Sequence, residues 1–215
     1  MTSASRIRTA RRPARSTIVA GAAVVLVAAM AYSTTVVRIG SEAHVQPQGF
    51  SPDSFGAEQF PLIQADVEVR ASDASTLAQA IATDRDAAVE EFGVGPNTGP
   101  VFPVRFTGVA GEARSGIYPV AVDGLPEGLG IRVQTGPAIN GTDLRDATGT
   151  IQFGQFRNQI EYQNAGSAIN EEMKRQVLAD VDTASLAGRT LTVVGVFKLV
   201  NPNNWLVTPV RLDVE

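Results

Sequence analysis

Two periods of hydrophobic spacing run along this chain. In "DASTLAQAIATDRDAAVEEFG", Leu77, Ile81, Ala88 and Phe92 fall on one side of a 3.6-residue helix, with Ala78 and Val89 at its margin. Asp84, Asp86, Glu90 and Glu91 lie mainly on the other side. The spacing predicts an amphipathic helix over 73–93, capped by Asp73 or Ser75 and ended by Gly93. Beyond "GPNTGP" the period becomes two. "VFPVRFTGVAGEA" sets Phe102, Val104 and Phe106 on one face, and "GIYPVAVDG" and "GIRVQTGPA" follow across the turn-rich "DGLPEGLG". Helical spacing returns near Ala165, with Ile169, Met173, Val177 and Val181 at steps of four.

Two strands follow. "RTLTVVGVFKL" alternates Leu191, Val193, Phe197 and Leu199 against Thr190, Thr192 and Lys198. After "NPNN", "WLVTPVRLDVE" sets Leu206, Val210, Leu212 and Val214 against Arg211, Asp213 and Glu215. Pro209 has no N–H to give to a ladder, so this strand is at an edge or bulged there. Several strands, one helix and two more strands make a mainly β, α+β arrangement. They predict a small OB-like Greek-key β-barrel over about 99–215, with its helix between the third and fourth strands and the 73–93 helix packed outside. A generic α+β sandwich is the alternative.

The amino-terminal region is of another kind. From Ser16 to Val37 no residue is charged. At 1.5 Å per residue such a helix reaches ~33 Å, enough to cross the hydrocarbon core of a bilayer. Arg6, Arg8, Arg11, Arg12 and Arg15 precede it, which orients residues 1–15 as a basic cytoplasmic tail and sends the rest across the membrane. The expectation is a single-pass signal anchor over 16–37; a signal peptide cleaved after Ala31 is the alternative. Residues 38–61 read as a polar stalk, with a short helix around Ser51 to Phe60. An extracytoplasmic (periplasmic) domain over 62–215 follows.

Charge and composition narrow the chemistry. Removing the five amino-terminal arginines takes the formal net charge from −4 to −9, a poor match for nucleic acid. The absence of cysteine excludes disulfides, thiol nucleophiles, Cys-ligated zinc and lipid attached through cysteine. The single histidine, His44, stands alone in a Gly/Pro-containing stretch. Asp180 and Asp182 lack the loop pattern of a calcium site, and Ser167 and Lys174 are too far apart for a Ser/Lys dyad. No metal or cofactor is expected.

The candidate ligand-binding residues lie in two polar stretches. "QTGPAINGTDLRDATG" offers Gln134, Asp143, Arg145 and Asp146, where Arg145 either holds an anionic or hydroxylated ligand or, with Asp146, ties an irregular crossing together. "FGQFRNQIEYQNAGSAINEEMK" offers Asn158, Gln159 and Tyr162. Here Ile151, Phe153 and Phe156 read as core-facing residues of a strand. Asn158 and Gln159 read as side chains that bridge backbone groups where that strand gives way to a helix, with Asn164 as a cap; a ligand pocket is the competing reading.

These motifs resemble a bacterial family of predicted periplasmic lipoproteins, domain of unknown function 2291. The likeness runs through "VVRI", the "D-x-D-A-A" of the first helix, "QTGPAINGTDLRDA", Phe156 to Tyr162, Ala168 to Asn170 and the closing "GVF … TPVRL", from about Val36 to Leu212. It implies a membrane-attached extracytoplasmic accessory protein, associated in such families with sugar ABC transport systems, with no established catalysis. Near Thr34, where such a protein carries its lipidated cysteine, this chain has "YSTTVV", which favours an uncleaved helix as the anchor. The expected function is a membrane-tethered, non-enzymatic module that binds transporter components or a small polar solute. An extracytoplasmic hydrolase using carboxylates of 143–146, or an envelope scaffold without a small ligand, is the alternative.

Overall fold

The computed structural model describes residues 24–25, 49–95 and 99–215. The expected tail, all of the expected anchor except Val24 and Val25, and the stalk as far as residue 48 lie outside the described residues. Among the described residues no helix is long and apolar enough to cross a membrane. Contacts divide the chain into two units, 1–49 and 50–215.

Helix α1 (Pro52–Arg70) opens the second unit, with Pro52 at a position whose missing N–H costs nothing. It is twice the length expected. Gly56, Phe60, Ile63 and Val67 form one continuous buried stripe that carries the helix through Pro61 and well past the predicted stalk. Strand β1 (Ser72–Asp73) and helices α2 (Ala74–Thr83) and α3 (Arg85–Phe92) follow. The single helix expected over 73–93 is therefore two. Asp84 takes an extended conformation, and its carboxylate accepts the N–H groups of Asp86 and Ala87 at 3.0 and 3.1 Å, so it starts a new helix.

Five strands close into the barrel: β2 (Val101–Ala110), β3 (Ile117–Ala121), β4 (Gly130–Gln134), β5 (Thr190–Lys198) and β6 (Asn204–Val214). Their order is β2-β3-β4-β6-β5, and β5 returns to β2 through a nine-residue antiparallel register from Val101–Lys198 to Val109–Thr190. The pair β4–β6 is parallel and the other barrel pairs are antiparallel. This is the expected mixed α+β architecture with an OB-type barrel, and closure removes the sandwich alternative. Phe102, Val104, Phe106, Ile131, Val133, Leu191, Val193, Phe197, Trp205 and Val207 fill the interior.

Strand β6 corrects one expectation. Among its apolar side chains, Trp205 and Val207 are buried before the buried pair Thr208–Pro209, then Val210 and Leu212 after it, while Leu206 is only partly buried and faces outward. The cause is a bulge. Arg211 pairs with Val194 and Pro209 with Gly195, leaving Val210 as the extra residue that reverses the alternation. A side chain at Gly195 would come within 2.5 Å of the Thr208 carbonyl, so the bulge needs glycine opposite it.

Between β4 and β5 lie the short helix α4 (Asp143–Asp146), a 3₁₀ turn (Phe153–Gln155) and helix α5 (Gln159–Met173), which runs on into a π turn (Lys174–Leu178). The strand expected through Phe156 is absent: Ile151 is buried, but Phe153 is half exposed. Helix α5 begins at Gln159, with Asn158 rather than Asn164 as its cap. The π turn adds a residue to the helical step, so Leu178 is buried where Val177 was expected. Helix α1 lies close against α5, where a side chain at Gly56 would meet the Ala168 carbonyl at 2.5 Å.

Candidate functional site

Outward-facing residues of β4 and β6 form the floor of a cleft on the barrel surface. It encloses about 480 Å³ and is lined by Arg132, Gln134, Asn140, Asp143, Lys198 and Asn204, together with Val200, Asn201 and Leu206. The barrel builds it from distant segments. Arg132 and Leu206 are register partners across the parallel pair, Lys198 ends β5, and residues 200–201 belong to the β5–β6 loop. The β-bulge matters here, because it turns Leu206 toward the cleft instead of the core.

Gln134 is buried and fully engaged. Its Nε2 donates to Thr208 Oγ1 at 2.9 Å and to the Asn140 carbonyl at 3.3 Å, while its Oε1 accepts the Asn140 N–H at 3.2 Å. It therefore pins the 135–140 loop to the barrel and sets the cleft wall. Arg132 Nε donates to Asn204 Oδ1 at 2.9 Å, which fixes the guanidinium and leaves both Nη groups without a partner among the described residues. The same holds for the side-chain amide of Asn140 and the Nδ2 groups of Asn201 and Asn204. A volume of this size lined by unspent donors and acceptors suits a small polar molecule.

Asp143 sits in the cleft wall with its carboxyl pushed up to about 6 by burial and by the Asp146 charge, against the opposing charge of Lys198. Between about pH 4 and pH 6 the folded chain keeps this proton while the unfolded chain has lost it. Stability from this group is therefore greatest below the unfolded value and falls as pH rises to 6. Asp143→Asn should raise the melting temperature at pH 7.5, corresponding to about 1–2 kcal/mol, with no difference from the parent near pH 4. Thermal unfolding at both pH values checks this; a variant less stable than the parent at pH 7.5 would mean the carboxylate makes a favourable contact there.

Arg145, Asp146 and Tyr162 form a separate cluster. Arg145 is buried, donates from Nε to Asp146 Oδ1 at 2.8 Å and from Nη1 to the Tyr162 carbonyl at 3.3 Å, and stacks 3.7 Å above the centre of the Tyr162 ring. Asp146 also accepts Thr142 Oγ1 at 2.8 Å and lies 3.8 Å from Lys198 Nζ. These groups hold α4 against α5. Asn158 is exposed and caps α5, its Oδ1 accepting the Glu161 N–H at 2.9 Å, while Glu161 reaches back to the Arg157 N–H at 3.0 Å. Gln159 is exposed and makes no side-chain hydrogen bond among the described residues. Neither amide bridges a barrel strand to the helix, because no strand precedes it.

Of the seven candidates, then, Gln134 and Asp143 line the cleft, Arg145, Asp146 and Tyr162 lie behind it, and Asn158 and Gln159 do not line it. The sequence reading missed Arg132, Asn140, Lys198, Asn201 and Asn204. Arg132 carried a usable signal: it alternates with inward Ile131 and Val133, two residues before Gln134.

Other clefts carry groups without a partner among the described residues too, among them Asp180 and the Nη groups of Arg189. In one of about 460 Å³ beside Leu212, the Asp182 carboxylate is held below the usual range by hydrogen bonds from Ser185 and the Ala184 N–H, and Arg189 donates to the Glu215 carbonyl at 2.8 Å. Another of about 450 Å³ is lined by Phe50, Phe55 and Phe156, which pack on one another with ring centres 5.3–5.5 Å apart.

A crystal structure of an OB-fold protein from Thermotoga maritima MSB8 is similar to this chain, with a TM-score of 0.62 at 18% identity over 78% of this chain and 100% of that one. That likeness is one of fold. A search of curated proteins gave no match. Residues 22–213 match the family model described as predicted periplasmic lipoprotein, domain of unknown function 2291, and the chain belongs to that family, whose members are expected in the extracytoplasmic envelope.

Proposed function

We propose that this protein is a membrane-tethered extracytoplasmic module that binds a small polar solute in the cleft between β4, β6 and residues 140–143, next to a sugar ABC transport system. The cleft carries the reading: it gathers polar side chains from three strands and two loops, and the Arg132 Nη groups, the Asn140 amide and the Nδ2 groups of Asn201 and Asn204 have no partner among the described residues. An apolar patch from Leu206 and Val200 lies beside them, the combination that receives the carbon face of a hydroxylated molecule. The uncharged 16–37 segment serves as an uncleaved anchor, because the chain has no cysteine to carry a lipid.

Binding accounts for the groups present better than hydrolysis does. Acid–base hydrolysis of this kind uses two available carboxylates, and Asp146 is already shared by Arg145, Thr142 and Lys198. That leaves Asp143.

The test uses full-length protein extracted from membranes. Its intact mass should include the residues before Tyr32, and a main species that begins there would remove the anchor. Titration calorimetry against neutral and charged polyols should find a ligand. Val200 is 84% exposed and lines the cleft, so Val200→Trp should fill the mouth and abolish that binding. The melting temperature should stay within about 2 °C, as for other surface substitutions. Undiminished binding by this variant would move the site elsewhere.

A further inference from the structure

We propose that the solute carries an anionic group, a carboxylate or a phosphate, held between Arg132 and Lys198. This inference rests on the reading of the cleft as a binding site and names the class of its ligand. Without its amino-terminal arginines the chain has a net charge of −9, yet this cleft brings together two cations and one carboxyl group. The two cations come from different strands, β4 and β5.

The hydrogen-bonding of each cation leaves room for an oxyanion. Asn204 takes Arg132 Nε at 2.9 Å and orients the guanidinium plane. No carboxylate lies within ion-pair distance of Arg132 among the described residues. A planar fork with both Nη groups free is the arrangement that grips two oxygens of one carboxylate or phosphate. Lys198 faces two carboxyl groups, Asp146 at 3.8 Å, already bonded by Arg145 and Thr142, and Asp143, whose ionisation its charge favours; its Nζ makes no hydrogen bond to either among the described residues. Its ammonium keeps donors for an incoming anion. The amides of Asn140, Asn201 and Asn204 then serve the neutral hydroxyl groups of the same molecule, and Leu206 its carbon face.

Calorimetry with the full-length protein in detergent, using glucose, glucuronate and glucose 6-phosphate as probes, tests this. At least one charged probe should bind about tenfold or more tightly than glucose. Which charged probe does so separates carboxylate from phosphate recognition. Arg132→Gln and Lys198→Gln should each remove most of that advantage, weakening the charged probe far more than glucose. Equal binding of all three probes, or an advantage that survives both substitutions, would overturn the anionic assignment and keep the cleft as a neutral-solute site. Failure of all three to bind at millimolar concentration would overturn both readings. The comparison of probes on the unsubstituted protein decides the matter even if a variant folds poorly.

Discussion

Arg145→Met should lower the melting temperature by about 6–12 °C, corresponding to about 3 kcal/mol. Arg145 is 8% exposed at its side chain and satisfies Asp146, the Tyr162 carbonyl and the Tyr162 ring together. Removing one member of a buried pair costs about 3–5 kcal/mol because its partner stays buried and charged. The lower end applies here, since Asp146 keeps Thr142 and Lys198. Arg145→Lys should fall between, keeping the charge but losing the flat face over Tyr162. The two variants also separate two roles for this residue. A ligand-gripping arginine would lose binding with little change in melting temperature; a brace between α4 and α5 loses stability with no ligand present. Thermal unfolding of both variants reads this directly, and shifts under about 2 °C would return Arg145 to the set of ligand contacts.

Alternation made the barrel legible because an inward side chain every second residue is a local property. Phe102, Val104 and Phe106 on β2, or Leu191 and Val193 on β5, are buried because of their position in the strand. Where the local rule is interrupted, the reading slipped. The bulge at Val210 reverses the phase of β6, and only Pro209 hinted at it. The π turn after Met173 does the same for α5, and Asp84 can sit within a helical pattern or cap a new helix with equal ease.

The cleft was less legible for a different reason. Arg132, Lys198 and Asn204 become neighbours only after β4 has paired in parallel with β6 and β5 has closed onto β2. Outward polar residues on a strand ordinarily face water, so their type carries no mark of convergence. The stretches densest in polar residues were legible as unusual, but most of that density holds the backbone: Asn158 caps a helix, Gln134 clamps a loop, and Arg145 joins two helices.

Closure itself depends on an aromatic stack. Phe102 on β2 and Phe197 on β5 are register partners with ring centres 5.6 Å apart, and Trp205 on β6 stacks on Phe197 at 4.3 Å and 14°. Trp205 is 1% exposed and its Nε1 donates to the Pro202 carbonyl at 3.0 Å, so the same side chain fills the barrel and ties down the β5–β6 loop. Trp205→Ala should cost about 3–5 kcal/mol through the cavity it leaves, a fall in melting temperature of about 6–20 °C. Trp205→Phe should retain most of the packing and lose chiefly the hydrogen bond, about 1 kcal/mol. The two variants then differ in what they do to the cleft. Asn201 precedes Pro202 and Asn204 lies two residues after it, so the Phe variant, still folded, should bind solute more weakly because its loop is no longer held by the indole. Unfolding and calorimetry on the same preparations test both parts. Parent-like binding by the Phe variant would mean that the β5–β6 loop keeps its shape without Trp205, and equal stability of the Ala variant would mean that the stack does not hold the barrel closed.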